Sequence, residues 1–419
     1  MVVGIIVGAS IFVQPSEINR HVPSVPGIIS VWAVSGILTL FGALVCAELS
    51  SAFPRTGGVY VFLKETLAAP FAFLWGWAMF WSMHSGIIAA SGVIFGRYLA
   101  VFLPLDDLGI RIAAIGMILL LSIVNYIGVR QGSWFQTIVT SAKLVAIALL
   151  LMMVVMYGAP PSTATTSRTP PASFSEFVLA VSAGLFAFGG WHMVTYAAGE
   201  TRKPERTIPR ALLLGVLIVT ACYIALNAAY LYLLPLDRVT KSTRVAADAA
   251  AALAGPRGAA IVSGLVILSS LGVLNGVILA GPRTYFAMAR EGLAFPWLGA
   301  IHPRFHTPYM AIILQAVWSS VLVATGTYRA LFTRVIYTEW LFFALMTIGL
   351  FRLHRDPSYS PLWRAWGYPV IPALFIIASI VVAVIQMAAD PMQAATGMLL
   401  VVVGLPVYYF WSRAKHAQH

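Results

Sequence analysis

The chain has 419 residues, of which 60% are hydrophobic and 10% charged, and its formal net charge is +12. That balance excludes an ordinary soluble enzyme. The basic residues sit mostly in short loops and at the ends of apolar runs, where orientation signals belong, which argues against a nucleic-acid partner.

Apolar runs of about 20 residues, the length that crosses a bilayer, recur along the chain and predict twelve spans. Span 1 covers residues 1–14, too short for one regular crossing, and its middle reads Val7-Gly8-Ala9-Ser10-Ile11-Phe12. The chain begins almost on this small-residue interruption, so we expect the natural protein to have further residues before Met1. No cleavable signal peptide is visible. Span 2 covers 27–53 and is followed by Pro54-Arg55-Thr56-Gly57-Gly58-Val59-Tyr60; spans 3, 4 and 5 cover 71–103, 110–127 and 134–157. A loop rich in Pro, Ser and Thr (160–173) reads as a flexible exterior connection.

Span 6 covers 176–198 and contains Gly184-Leu185-Phe186-Ala187-Phe188-Gly189-Gly190-Trp191. It leaves the membrane into a basic, proline-marked turn with Glu200, Arg202, Lys203, Pro204, Glu205, Arg206 and Arg210. Span 7 covers 211–234, an alanine-rich short helix 245–253, and spans 8 to 12 cover 259–289, 309–325, 329–351, 371–389 and 392–410. Cys46 and Cys222 lie inside apolar segments and suggest neither a disulfide framework nor a metal site. An even number of spans puts both termini on one side. Lys and Arg are denser after spans 2, 4, 6, 8 and 10, so that side is expected to be cytoplasmic.

The interruptions in spans 1 and 6 lie five spans apart. Units of five spans have opposite topology, and broken helices in corresponding places point to a midplane site between inverted repeats. A break in a lipid-exposed helix strands backbone groups, so it must face protein or a water-filled cavity. Where span 1 restarts, the amides of Ala9, Ser10 and Ile11 would attract a carboxylate, and the carbonyls near Ile5 and Ile6, beside Gly8, would suit an ammonium. Carbonyls around Phe186 and Ala187 would complete the ammonium site, with Gly189 and Gly190 giving room and backbone freedom. These are the two poles of an α-amino acid. The plain alternative for Gly8-Ala9-Ser10 is a small-residue face for helix packing. Phe186 reads as an aromatic lid over the substrate or as a core- or lipid-facing ring. His192 reads as a pocket residue, a proton carrier or a packing histidine.

Lys143 stands alone in span 5, and an ionisable group at membrane depth is a functional hypothesis by default. Its ammonium could replace a bound sodium ion, donating to span 1 carbonyls and to the hydroxyls of Ser269 and Ser270 in span 8, or could take up and release a proton. The alternative is snorkelling to the near membrane face. Glu339 in span 10 could select side chains by charge or hydrogen bond, pair with His84 of span 3, or lie near the outer mouth. Asn227 and Asn275 read as interhelical hydrogen-bonders. No nucleotide-binding loop, metal-ligand cluster or nucleophile elbow is found.

The pieces Ile6-Val7-Gly8-Ala9-Ser10-Ile11-Phe12, Ala47-Glu48-Leu49 with Pro54 to Tyr60, Gly184 to Trp191 with Glu200 and Pro204-Glu205, and Leu274-Asn275-Gly276 with Arg283 and Ala289-Arg290-Glu291-Gly292 run the length of the chain. Together they resemble the amino acid–polyamine–organocation superfamily, and within it the L-type amino acid transporter family. The resemblance implies an all-α polytopic membrane protein of the leucine-transporter fold, with 12 transmembrane helices in an inverted 5+5 repeat plus two. It implies alternating access and amino acid transport without sodium, with Lys143 at the vacated sodium site and Phe186 as the gate. Three departures stand out: Ala9-Ser10 as the small pair of span 1, His192 where an asparagine is common, and Glu339 where a charge is unusual. The loop between spans 3 and 4 has no cysteine, so no disulfide-linked glycoprotein subunit is expected.

The expected function is secondary transport of L-amino acids by sodium-independent exchange or proton-linked uptake across the cytoplasmic membrane, with both termini cytoplasmic and no cofactor. The expected divisions are a first repeat (1–157), a second repeat (158–355) and a final pair of spans with a tail (356–419). Alternatives are a carrier of cationic amino acids or polyamines using Glu339 as counter-ion, and a membrane sensor that binds an amino acid without moving it. A sensor would be favoured by a large cytoplasmic signalling domain. The chain has no such run, and it lacks the clustered catalytic groups of an enzyme.

Overall fold

The computed structural model describes residues 2–55, 57–128, 132–158 and 172–416. Most of the Pro/Ser/Thr loop expected at 160–173 lies outside the described residues. The described elements are all helices, and nine are long and apolar enough to cross a membrane. The helix of span 2 is Val25–Ala52, of span 4 Asp107–Ile127, of span 7 Pro204–Leu233, of span 10 Tyr328–Leu353 and of span 11 Val370–Ala389. Span 5 forms Gly132–Tyr157 and span 9 forms Tyr309–Thr325.

Local chemistry sets several boundaries. Ser24 caps span 2 by accepting from the Gly27 N–H, and Asp106 caps span 4 by accepting from the Gly109 N–H. Ser173 and Glu176 form a reciprocal capping box at the start of span 6. The long helix Val245–Arg290 is interrupted at Ala254 and Gly255, where Gly255 adopts φ 64° just before Pro256. That kink separates the alanine-rich helix from span 8. Span 12 is two helices, Pro391–Val402 and Gly404–His416.

Span 1 extends further than the apolar pattern suggested, because a helix Gln14–His21 follows the interruption. The residues of this helix are largely polar, yet Gln14 and Asn19 are fully buried. Asn19 spends its polarity on protein, donating from Nδ2 to the Leu236 carbonyl (2.7 Å) and to Thr240 Oγ1 (2.8 Å). Inside span 3, which runs Ala69–Leu99, a π-helical turn at Met79–Met83 ends at His84. Such turns are rare and concentrate at functional sites.

The spans divide into centre and rim. The most apolar stretch of span 3 is 89% buried and that of span 4 only 17%, so span 3 is interior and span 4 faces lipid. Span 6 packs on span 2 through Gly184, where a Cβ would strike Ser35, and Ser35 Oγ donates to the Val181 carbonyl (3.3 Å). Spans 3 and 10 meet at the hydroxyls of Ser82 and Thr338, 3.2 Å apart.

Candidate functional site

Span 1 loses its helical ladder where the small residues stand. The Val7 N–H still reaches the Val3 carbonyl (2.8 Å), but the Gly8 N–H folds back on Ile6 (2.6 Å). Pairing resumes only with Phe12 and Val13, which donate to the carbonyls of Ala9 (3.2 Å) and Ser10 (3.0 Å). The amides of Ala9, Ser10 and Ile11 have no partner among the described residues. Unpaired N–H groups at the head of a helical turn carry partial positive charge and suit a carboxylate.

Span 6 breaks in the same region of the molecule. Its helix Phe174–Ala187 gives way at Phe188 to Gly190 and continues as a 3-10 helix, Trp191–Glu200. The Gly189 N–H turns back to the Phe186 carbonyl (3.1 Å), and Gly190 takes φ 86°, which a side chain would resist. A Cβ at Gly190 would come 2.8 Å from Ile5 Cγ2, so the two breaks face each other. Span 8 closes the far side of Gly8 with Val273.

Tyr223 of span 7 ties the breaks together, and sequence reasoning missed it. Its hydroxyl lies 2.8 Å from the Ile6 carbonyl and 3.0 Å from the Ala187 carbonyl. One phenolic proton is therefore shared between the ends of two interrupted helices. Trp32 and Phe188 hold the ring, at centroid distances of 5.5 and 5.0 Å. The available signal was an i, i+4 polar stripe, since Asn227 Nδ2 donates to the Tyr223 carbonyl one turn back (2.8 Å). Tyr223→Phe keeps the ring and removes the shared proton. We expect transport to fall about tenfold, the size of one such hydrogen bond, with an unchanged size-exclusion profile; undiminished transport would remove Tyr223 from the site.

Lys143 is buried, and its Nζ donates to the Val7 carbonyl (3.2 Å) inside the span 1 interruption. It points into the protein rather than snorkelling to a membrane face. The two serines of span 8 are placed differently. Ser270 Oγ donates to Val266 in its own helix (2.8 Å), while Ser269 Oγ is buried without a partner among the described residues. Neither is bonded to Lys143.

Phe186 is buried and packs on Phe332 (5.5 Å) and Tyr328 (6.5 Å) of span 10. Arg97 from span 3 lies over the Tyr328 ring at 4.8 Å. Next to Tyr328, Arg329 donates from Nε (2.9 Å) and Nη2 (2.6 Å) to one oxygen of Glu17, on the second half of span 1. This end of the molecule is closed by an aromatic plug roofed by an ion pair. Beside it is a cavity of about 170 Å³ lined by Glu17, His21, Arg329, Phe332, Gln386 and Asp390.

The opposite end has its own fastenings. Glu48, fully buried at the end of span 2, sits 2.6 Å from His354 Nε2 and accepts from the Ala365 N–H (2.8 Å). Glu291, at the end of span 8, accepts from Tyr60 (2.6 Å) and Lys64 (2.9 Å) on the short helix Val59–Thr66. Burial and this carboxylate push the Tyr60 phenol up from its ordinary value.

His192 and Glu339 are both buried. Among the described residues, neither nitrogen of His192 has a hydrogen-bond partner, nor does Glu339 Oε1. The pairing of Glu339 with His84 is not formed, since both nitrogens of His84 are also unpartnered.

A model of the family described as amino acid permease matches residues 1–409, which includes every site residue above. The chain is 32% identical to the serine/threonine exchanger SteT of Bacillus subtilis over 99% of its length and 95% of that relative. It is 28% identical to the cystine/glutamate transporter of Homo sapiens, over 98% of this chain and 83% of the relative. A third relative, large neutral amino acids transporter small subunit 2 of Oryctolagus cuniculus, is 28% identical over 99% of this chain and 79% of its own. Two broken helices, their free backbone groups and a match from end to end lead to one conclusion: the chain is a multi-pass membrane protein of the amino acid permease family, a transporter of amino acids and not an enzyme.

Proposed function

We propose that the chain carries L-amino acids by alternating access, without sodium, as an exchanger or a proton-linked carrier. The observation that carries this is the Lys143 ammonium on the Val7 carbonyl. A fixed cation there stabilises the interrupted backbone of span 1, the task a sodium ion would otherwise perform. The substrate carboxylate would lie on the amides of Ala9, Ser10 and Ile11. Its ammonium would take the remaining lone pair of the Ala187 carbonyl, together with the carbonyls of Ile5 and Phe186, because the Ile6 carbonyl already accepts from the Gly8 N–H and the Tyr223 hydroxyl. Phe186 would be the gate, and Ser269 would be a further oxygen for Lys143 during the cycle.

In this reading residues 1–157 and 158–355 are inverted repeats and 356–419 adds two spans, twelve in all. The Glu48 end and both termini are cytoplasmic, and the membrane is the cytoplasmic membrane. No disulfide-linked glycoprotein is required. A cationic substrate is the second reading, favoured by the burial of Glu339.

Counterflow into proteoliposomes tests the proposal with labelled alanine, leucine, arginine and putrescine. We expect exchange of amino acids, with initial rates unchanged when choline replaces sodium. Strict sodium dependence would sink the role of Lys143. Uptake of arginine or putrescine alone, lost in Glu339→Gln, would support the second reading. Binding without counterflow would favour a sensor.

A further inference from the structure

The backbone site leaves unused a group of buried polar side chains on spans 3, 6, 9 and 10. His84 and His192 are fully buried, and no hydrogen bond from the described residues reaches either nitrogen of either ring. Glu339 is 3% exposed with Oε1 unpartnered. Gln315 is 1% exposed with Oε1 unpartnered, while its amide reaches only the Ile278 carbonyl at 3.4 Å. Ser85 Oγ, next to His84, is unpartnered as well.

These side chains form one cluster. The Tyr196 ring lies 6.4 Å from that of His84 and 5.7 Å from that of His192, and Phe343, one helical turn after Glu339 on the same face of span 10, has its ring 5.1 Å from that of His192. A Cβ at Gly281 of span 8 would collide with Gln315 Oε1 and come 3.1 Å from His84 Nδ1, which brings spans 8 and 9 to the same place. The π turn at Met79–Met83 ends at His84, and the Ser82–Thr338 contact holds span 3 against span 10 one residue before Glu339. His192 follows two residues after Gly190, so the cluster begins where the backbone site ends.

Unpaired polar atoms at membrane depth are costly, and several together call for an explanation. A partner that arrives for part of a working cycle supplies one. The unpaired atoms also specify that partner. A carboxyl oxygen, an amide oxygen and one nitrogen of each neutral imidazole make four acceptors against the two imidazole N–H donors, and the Ser85 hydroxyl can serve as either, so acceptors are in surplus. The neighbouring cation, Arg334, turns its stem toward Gly397 and Tyr337 instead.

We propose that His84, His192, Gln315 and Glu339 form the side-chain end of the substrate site. They select amino acids whose side chains carry a hydrogen-bond donor (hydroxyl, amide or ammonium) over aliphatic ones and over those ending in a carboxylate. The inference rests on the exchange of amino acids proposed above. A site built to hydrogen-bond a substrate discriminates strongly against an isostere that leaves its polar groups unpaired.

The test is counterflow by the full chain in proteoliposomes with pairs of equal shape, threonine against valine and glutamine against glutamate, at equal sub-saturating concentration. Threonine and glutamine are expected to enter at least about tenfold faster than their partners. Gln315→Leu and, separately, Glu339→Gln are expected to bring the threonine-to-valine ratio toward unity; this ratio does not depend on how much protein is folded. Exchange of valine as fast as threonine by the unaltered chain overturns the inference and leaves amino acid exchange standing. Counterflow of no amino acid overturns the exchange reading itself, and this inference with it.

Discussion

Lys143→Met is expected to abolish most transport while leaving the protein folded. Methionine keeps the length and flexibility of the side chain and removes the ammonium. The Val7 carbonyl then loses its charged donor at 3.2 Å, in a segment where the backbone has already lost its helical partners. A hydrogen bond to a charged group contributes about 1.5–3 kcal/mol. If that stabilisation is needed in the transport-competent arrangement of span 1, the rate falls by about ten- to a hundredfold. The measurement is the initial rate of counterflow per unit of monodisperse protein. A rate within a factor of about two of the unaltered chain would show that the lysine serves only packing.

Gly190→Ala should be nearly as damaging for a different reason. The residue sits at φ 86°, where an L side chain costs about 1–2 kcal/mol. Its new methyl would also lie 2.8 Å from Ile5 Cγ2, closer than atoms tolerate, at the meeting of the two breaks. We expect transport to fall more than about tenfold on the backbone cost and the clash together. Gly264→Ala in span 8 is the matched control, since a Cβ there meets nothing within 4 Å. If both variants transport alike, the break in span 6 is not held by Gly190.

Much of the helical plan was legible because lipid leaves the backbone few choices. Long apolar runs must be helical, and the caps at Ser24, Asp106 and Ser173 sit where their types suggest. The errors were local. The apolar run of span 1 ends near Gln14, whereas the polar residues Gln14 and Asn19 are buried in a helix that continues to His21. The π turn at Met79–Met83 has no compositional mark, because a misregistered helical turn uses the same apolar residues as a regular one.

The site divides in the same way. Gly8, Gly189, Gly190 and Lys143 could be singled out from residue type alone, because glycines and a lone charge are anomalies inside an apolar run. Tyr223 could not, since a tyrosine in an apolar helix is ordinary until its hydroxyl is found between the carbonyls of Ile6 and Ala187. The same holds for Gln315 and His84, whose side-chain oxygen and ring nitrogens meet no partner among the described residues.

The sequence by itself determined that this chain is a polytopic helical membrane protein interrupted at two places five spans apart, because hydropathy and small-residue breaks are local properties. Only the tertiary structure decided that the breaks face each other at Gly190 and Ile5, that Tyr223 bridges them, and that Lys143 turns inward to Val7. Those outcomes depend on how helices far apart in the chain are rotated against one another, and a hydropathy pattern leaves that rotation open wherever a helix is apolar all round.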